Sequence, residues 1–378
     1  MSENTKIEWC DHTFNPWEGC QKTGPGCDHC YAELRNARFG GGVAINFGPG
    51  APRRRTSAAN WALPKRWNVQ ADAFVAQHGR RQRVFCASLA DVFDNTVDPQ
   101  WRADLFELIR ATPNLDWLLL TKRIGNAAAM IQAALTNLDI GYSVPFAAWP
   151  WPNVWIGATV VNQKEADRDI PKLLEVPARV RFLSMEPLLG PVDVRRWLQP
   201  HCERHPGKLE PDGKCEVCES RGIWGIPGAE LLQEHEKAPI RSGLDWVIVG
   251  GESGPGARPM HPDWACSLRT QCLRANVPFL FKQWGEWKPI SQMDEAEHGA
   301  LYKSNVIAKP HEDQGNLDDI YGRKCTVPTT ILHADGSTHD ITEPMAFQQD
   351  TGAMQIFRVG KKAAGRLLGG ITWDGFPS

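Results

Sequence analysis

Six short apolar runs, most of them followed by a helix-length stretch, limit what this chain can fold into more than any other feature. They are RVFCAS at 83–88, DWLLLT at 116–121, VWIGAT at 154–159, VRFLS at 180–184, DWVIVG at 245–250 and PFLFK at 278–282. Short apolar runs without clean alternation suit strands covered on both faces, as in a parallel sheet. Stretches 99–111, 124–135 and 262–275 between them read as helices. Strand then helix, repeated this often, predicts a βαβ series. No Gly-x-Gly-x-x-Gly follows the first run, so a complete or partial (β/α) TIM-like barrel fits better than a dinucleotide-binding sheet.

Barrels build their sites at the C-terminal ends of the strands. Here those ends carry Ser88 and Asp91, Thr121, Lys122 and Arg123, Thr159 and Asn162, Ser184 and Glu186, Glu252 and Ser253, Lys282 and Gln283. Any α/β loop is polar, so one such residue says little, but six strands behaving alike say more. The pattern assigns 1–289 to the barrel. It is interrupted at about 39–67 by a Gly-, Pro- and Arg-rich excursion and at about 200–242, inside the fifth crossover, by a segment with its own Cys and His residues. Residues 290–378 lack the repeat and read as a cap or extension.

The 42 basic and 44 acidic residues nearly cancel, leaving a net charge of -2. No global field therefore draws the chain to nucleic acid, and such a contact has to come from a local patch. MSENTKIEWC has no apolar core after its charges, and no run reaches the length of a membrane span, which predicts a cytoplasmic protein without a membrane partner. In a reducing compartment, an odd set of 11 Cys argues against a disulfide framework and for thiolate ligands.

Cys20, Cys27 and Cys30 form a C-x6-C-x2-C array on a Gly/Pro loop ahead of a helix. Three thiolates bound to a [4Fe–4S] cluster leave one iron open, the arrangement that S-adenosylmethionine (SAM) chelates in radical chemistry. The competing reading is a zinc site with Cys10 or His29 as fourth ligand, which spacing alone leaves open. A fourth thiolate from Cys10 would close the open iron. An asymmetric triad just before a βα series is unlike a zinc ribbon, which pairs two CxxC knuckles, and this context favours the cluster. Cys202, His205, Cys215 and Cys218 have knuckle spacing within the 200–242 insert and predict a structural Zn²⁺. Cys86, Cys266, Cys272 and Cys325 are isolated and read as small buried hydrophobes.

PRRR at 52–55, with Trp61, Lys65, Arg66 and Trp67, mixes cations with stacking surfaces that could hold phosphates and an unstacked base. The ordinary alternative is a solvated loop whose aromatics turn into the core. RVGKKAAGR at 358–366 lacks the G-x4-G-K-[ST] phosphate loop and reads as a basic helix on the barrel.

FNPWEGC, GCDHCYA, ASLADVF, LLLTKR, VWIGATV, FLSMEPLLG, DWVIVGGESGPGARPMHPDW, PFLFKQWG and RVGKKAAGRLL together resemble the phage three-Cys-motif proteins, a divergent radical-SAM-like group. The resemblance covers most of the chain. It departs from the commonest radical SAM pattern in its cysteine spacing, usually C-x3-C-x2-C, and in His29, where an aromatic residue usually precedes the last cysteine. Gly250-Gly251-Glu252 looks like the GGE motif that contacts the SAM amino group, although it follows about the sixth strand rather than the second.

The expected enzyme therefore holds the cluster on Cys20, Cys27 and Cys30. It binds SAM with Ser88, Asp91, Thr159, Ser184, Gly250, Gly251 and Glu252, and works on substrate with Lys122, Arg123 and Glu186. The resemblance implies modification of a nucleobase in phage DNA, in the host cytoplasm, with a reducing electron donor and alongside other phage modification enzymes. The candidate step is isomerisation of an N-linked glycyl-thymidine adduct to the C-linked form, with Lys122, Arg123 or Arg258 meeting the glycyl carboxylate. The alternative from another class is a non-catalytic, zinc-stabilised nucleic-acid-binding protein in which both Cys clusters are structural.

Overall fold

The computed structural model describes residues 5–138, 149–198 and 243–377, together with the backbone strands His201–Cys202 and Ile240–Arg241. Seven strands form the central sheet in chain order: β1 (His12–Thr13), β2 (Gln82–Cys86), β3 (Leu115–Thr121), β4 (Val154–Thr159), β5 (Val180–Met185), β6 (Trp246–Gly250) and β7 (Phe279–Gln283). Every neighbouring pair is parallel. Six of these strands fall on the six apolar runs. His12–Thr13 is the addition, two residues long and so without a periodic signal of its own.

The crossovers carry α1 (Tyr31–Phe39), α2 (Ala58–Val69), α3 (Ala71–His78), α4 (Pro99–Arg110), α5 (Ile124–Asn137), α6 (Gln163–Glu175), the single turn α7 (Arg195–Leu198) and α8 (Pro262–Arg274). In α6, Ala166, Ile170, Leu173 and Leu174 repeat at helical spacing and face the sheet. Asn162 caps that helix by accepting from the Glu165 N–H. Because α2 begins within 39–67 and runs on to Val69, that stretch belongs in part to the first crossover and is not loop throughout.

The sheet curls. Neighbouring strands lie about 4.8 Å apart, so a flat sheet would put β1 and β5 roughly 19 Å from each other. Trp9, just before β1, has its ring centroid 6.2 Å from that of Phe182 on β5 and 6.4 Å from that of Trp246 on β6. Only a rolled sheet brings these side chains onto one inner cluster with Phe85, Leu118, Trp155, Ile248 and Leu280. Among the described residues β1 and β7 remain the edges of the sheet, a half-barrel compatible with a partial barrel.

After β7 the chain forms an antiparallel sheet from Lys288–Pro289, Met354–Phe357, Thr329–Leu332 and Thr338–His339. Its last residues return to β7. Phe281 N–H donates to Trp373 O, and Gly375 N–H donates to Phe279 O, so the tail covers the open edge. Phe376 then packs against Trp246, with the Arg83 guanidinium 4.0 Å from its ring centroid. The expected basic helix at 358–366 is a single turn, Lys361–Ala364.

The arginine run is not a free phosphate patch. Arg53 is buried against Asp94 at 2.7 Å, Arg54 pairs with Glu18, and Arg55 pairs with Asp104 at 2.6 Å. Trp67 is fully buried and stacks on His12. The insert between β5 and β6 opens and closes as an antiparallel pair, His201 opposite Arg241 and Cys202 opposite Ile240. His205, Cys215 and Cys218 lie outside the described residues, and of Cys202 only the backbone is described. No described helix is long and apolar enough to cross a membrane.

Candidate functional site

A cavity of about 510 Å³ opens at the C-terminal ends of the strands. Cys20, Cys27 and Cys30 line it, together with Ser88 and Asp91 after β2, Lys122 after β3, Thr159 ending β4, Ser184 next to the end of β5, Glu186, and Gly251 and Glu252 after β6. Residues spread over more than 230 positions of sequence thus meet at one face, because parallel strands all point their C-terminal ends the same way. Trp9 and Phe85 form an apolar floor inside the half-barrel.

The cysteine loop is held from two sides. Arg123 donates to Gln21 O at 2.9 Å, and Arg258 donates to Pro25 O at 2.8 Å and to the Asp28 carboxylate at 3.0 Å. Tyr31, the first residue of α1, donates its hydroxyl to Ser88 O and so ties the helix after Cys30 to the end of β2. Gly26 is required by close approach: a Cβ there would stand 2.8 Å from Val161 Cγ1. Burial, with Asp91 and Asp94 nearby, pushes the Cys20 thiol up to about 12, against the opposing charge of Arg123.

The expected SAM residues take different places. Asp91 accepts from Thr121 Oγ1 at 2.7 Å and from the Phe93 and Lys122 N–H groups at 2.9 Å, a clamp between β2 and β3. Ser88 Oγ exchanges hydrogen bonds with Asn15. Gly250 does not line the cavity; its missing Cβ leaves room for Glu186. At Gly251 a Cβ would lie 1.9 Å from Trp284 O, so the double glycine has a packing cause whatever it binds. Glu252 accepts three hydrogen bonds from Arg258 and stands 3.1 Å from His29 Nδ1. Burial raises its carboxyl, but Arg258 outweighs burial and holds it below the ordinary range. Thr159 Oγ1 is buried without a partner.

Among the residues expected to act on substrate, Lys122 and Glu186 line the cavity and Arg123 does not. Glu186 receives both contacts of the Lys282 ammonium at 2.8 Å and one from Gln283 at 3.1 Å. Burial lowers the Lys282 ammonium, and the Glu186 carboxylate more than reverses that. Arg258, the third expected carboxylate contact, is committed to Glu252 and Asp28. Sequence reasoning missed Lys361, which lines the cavity from the C-terminal extension. The only signal for it was the basic run in which it sits.

Cys10 packs in the inner apolar cluster, not on the cavity wall, and burial pushes its thiol well up. Among the described residues, no three His, Cys, Asp or Glu side chains are drawn together tightly enough for one metal ion. Cys86 and Cys272 are buried, while Cys266 and Cys325 are half-buried.

These features define a class: an α/β half-barrel with a cysteine-bearing loop folded over a cavity at the C-terminal face of its sheet. The chain belongs to the family described as "Protein of unknown function (DUF5131)", whose model matches residues 4–377. No curated protein and no solved structure matches the chain.

Proposed function

We propose that this protein is a radical SAM enzyme of the partial-barrel type, with Cys20, Cys27 and Cys30 as ligands of a [4Fe–4S] cluster. The observation that carries the reading is that the three cysteines line the same cavity as Ser88, Thr159, Ser184, Lys122 and Glu186. A cubane distributes its thiolates over separate irons, so its ligand set does not need the tight grouping of a single tetrahedral ion. Thr159 Oγ1 and Gln283 Oε1, buried on the cavity wall without partners, fit a polar cofactor or substrate. When bound, the cluster supplies the electron that cleaves SAM to a carbon radical able to take hydrogen from an unactivated position.

The chain's own residues supply the geometry. Arg123 and Arg258 fix the cysteine loop, and the Lys282–Glu186 pair sets a charged wall beside the apolar floor. The substrate we assign is a nucleobase of phage DNA, and the candidate reaction is isomerisation of an N-linked glycyl-thymidine adduct to its C-linked form. Access to the cavity requires a flipped or unpaired base.

The test is release of 5′-deoxyadenosine from SAM by anaerobically reconstituted, reduced protein, with phage DNA present and absent. Release that rises with DNA is expected. Colourless protein that carries zinc and releases none would overturn the assignment in favour of a zinc-stabilised nucleic-acid-binding protein.

A further inference from the structure

The cations around the cavity divide into two kinds. Lys282 is held by Glu186, Arg258 by Glu252 and Asp28, and Arg123 lies against Gln21 O with Asp94 at 4.0 Å. Lys122 and Lys361 line the same cavity and pair with no carboxylate among the described residues. Lys122 was expected from its strand end. Lys361 arrives from the opposite side, because 358–365 docks on the loops after β6 and β7. Arg358 donates to Gly254 O at 3.4 Å, Gly360 N–H to Glu286 O at 3.0 Å, and Trp284 N–H to Gly365 O at 3.1 Å.

Lys361 is exposed, as its neighbour Lys362 is, but only Lys361 lines the cavity, so its unpaired ammonium can attract an anion that enters there. Two further atoms sharpen the ligand's chemistry. Gln283 Nε2 donates to Glu186 and Ser253, which orients the amide and leaves Oε1 as a buried acceptor with no donor. Thr159 Oγ1 is unpaired as well. A ligand in the cavity would thus find an acceptor at Gln283 Oε1, a hydroxyl at Thr159 and the unpaired ammonium groups of Lys122 and Lys361.

We propose that Lys361 is the residue with which the C-terminal extension binds an oxyanion of the substrate, a carboxylate or a phosphate. This rests on the cavity being the substrate site, and it makes residues beyond the barrel part of that site. Lys361 is a binding and specificity residue.

Calorimetric titration of the full chain with thymidine 5′-monophosphate, N-acetylglycine, uncharged thymidine and S-adenosylhomocysteine tests it, on wild type, Lys361→Ala, Lys361→Arg and Lys362→Ala. Lys362 is a neighbouring exposed lysine that does not line the cavity, so it controls for general charge. Losing one charge-assisted contact should weaken at least one anion by about 10- to 100-fold in Lys361→Ala. Lys361→Arg should retain most of the affinity, and Lys362→Ala and thymidine should show little change. An effect on the monophosphate alone identifies phosphate, and one on N-acetylglycine alone identifies carboxylate.

The proposal fails if neither anion binds wild type, if Lys361→Ala binds both unchanged, or if both lysine variants weaken equally. It fails too if Lys361→Ala weakens only S-adenosylhomocysteine, which would place the cofactor's carboxylate there. Unchanged circular dichroism and melting exclude misfolding as the cause. Because binding is read without iron, a chain that holds no cluster but shows the Lys361 effect refutes the enzyme reading alone. A chain that cleaves SAM but shows no such effect refutes this inference alone.

Discussion

The two ends of the parallel sheet share their strands and finish in opposite states. At the N-terminal end, Asp11 forms a bidentate pair with Arg80, Trp246 donates its indole N–H to Gly375 O, and Phe376 fills the space beneath Arg83. The chain's own last residues close that end. At the C-terminal end a cavity of about 510 Å³ remains, walled by polar groups of which several lack partners. An unpaired buried polar atom costs about 1–3 kcal/mol. Such atoms occur at both ends, Gln82 Oε1 and Arg83 Nε at the first and Thr159 Oγ1 and Gln283 Oε1 at the second, but only at the second do they stand on the wall of an open cavity.

Substitutions at the two ends should therefore behave differently. The largest effect is expected from Trp246→Ala, which empties a fully buried ring at the closed end. Unfolding in urea should show a loss of about 3–5 kcal/mol. Gly251→Ala comes next, because its new Cβ would meet Trp284 O; a loss of about 1–3 kcal/mol and a distorted cavity are expected, with binding more impaired than stability.

Asp11→Asn should cost about 1 kcal/mol at neutral pH, discounted because Arg80 is partly exposed. Burial raises the Asp11 carboxyl, and Arg80 with the Arg83 N–H more than reverses it, so its pKa falls on folding. That contribution is present above the ordinary value of 3.8 and is lost as pH falls through the folded value. The wild-type advantage measured by melting should thus vanish in acid. If it persists there, the ion pair is not its source.

The smallest change is expected from Thr159→Val. Removing an unpaired hydroxyl should leave the free protein's stability within about 1 kcal/mol or raise it slightly, while weakening whatever the cavity binds. A clear destabilisation would mean that the hydroxyl already has a partner.

The fold was legible because buried parallel strands have to be written as apolar runs, and β2 to β7 were. β1 was not, since His12 and Thr13 pair with β2 through the backbone and carry no pattern. The cavity wall was legible at Ser88, Thr159, Ser184 and Glu186, because strand ends follow from strands. Side-chain commitments were not. Asp91, Glu252 and Arg258 look free in sequence, yet each is tied to a partner that only tertiary folding supplies. The arginines at 53–55 were misleading for the same reason. Lys361 lay hidden because it reaches the site from beyond the barrel, through contacts to Gly254 and Glu286 that no local pattern records.

In the proposed enzyme Cys20, Cys27 and Cys30, and no fourth thiolate, hold one cluster at the open end. Iron content and visible absorbance after anaerobic reconstitution test it most directly, on wild type and on single Ala variants of Cys10, Cys20, Cys27 and Cys30. Wild type and Cys10→Ala should carry about four irons above any background, with the other three variants stripped of cluster absorbance. Iron-free wild type, iron retained in all three triad variants, or iron lost in Cys10→Ala would contradict the account.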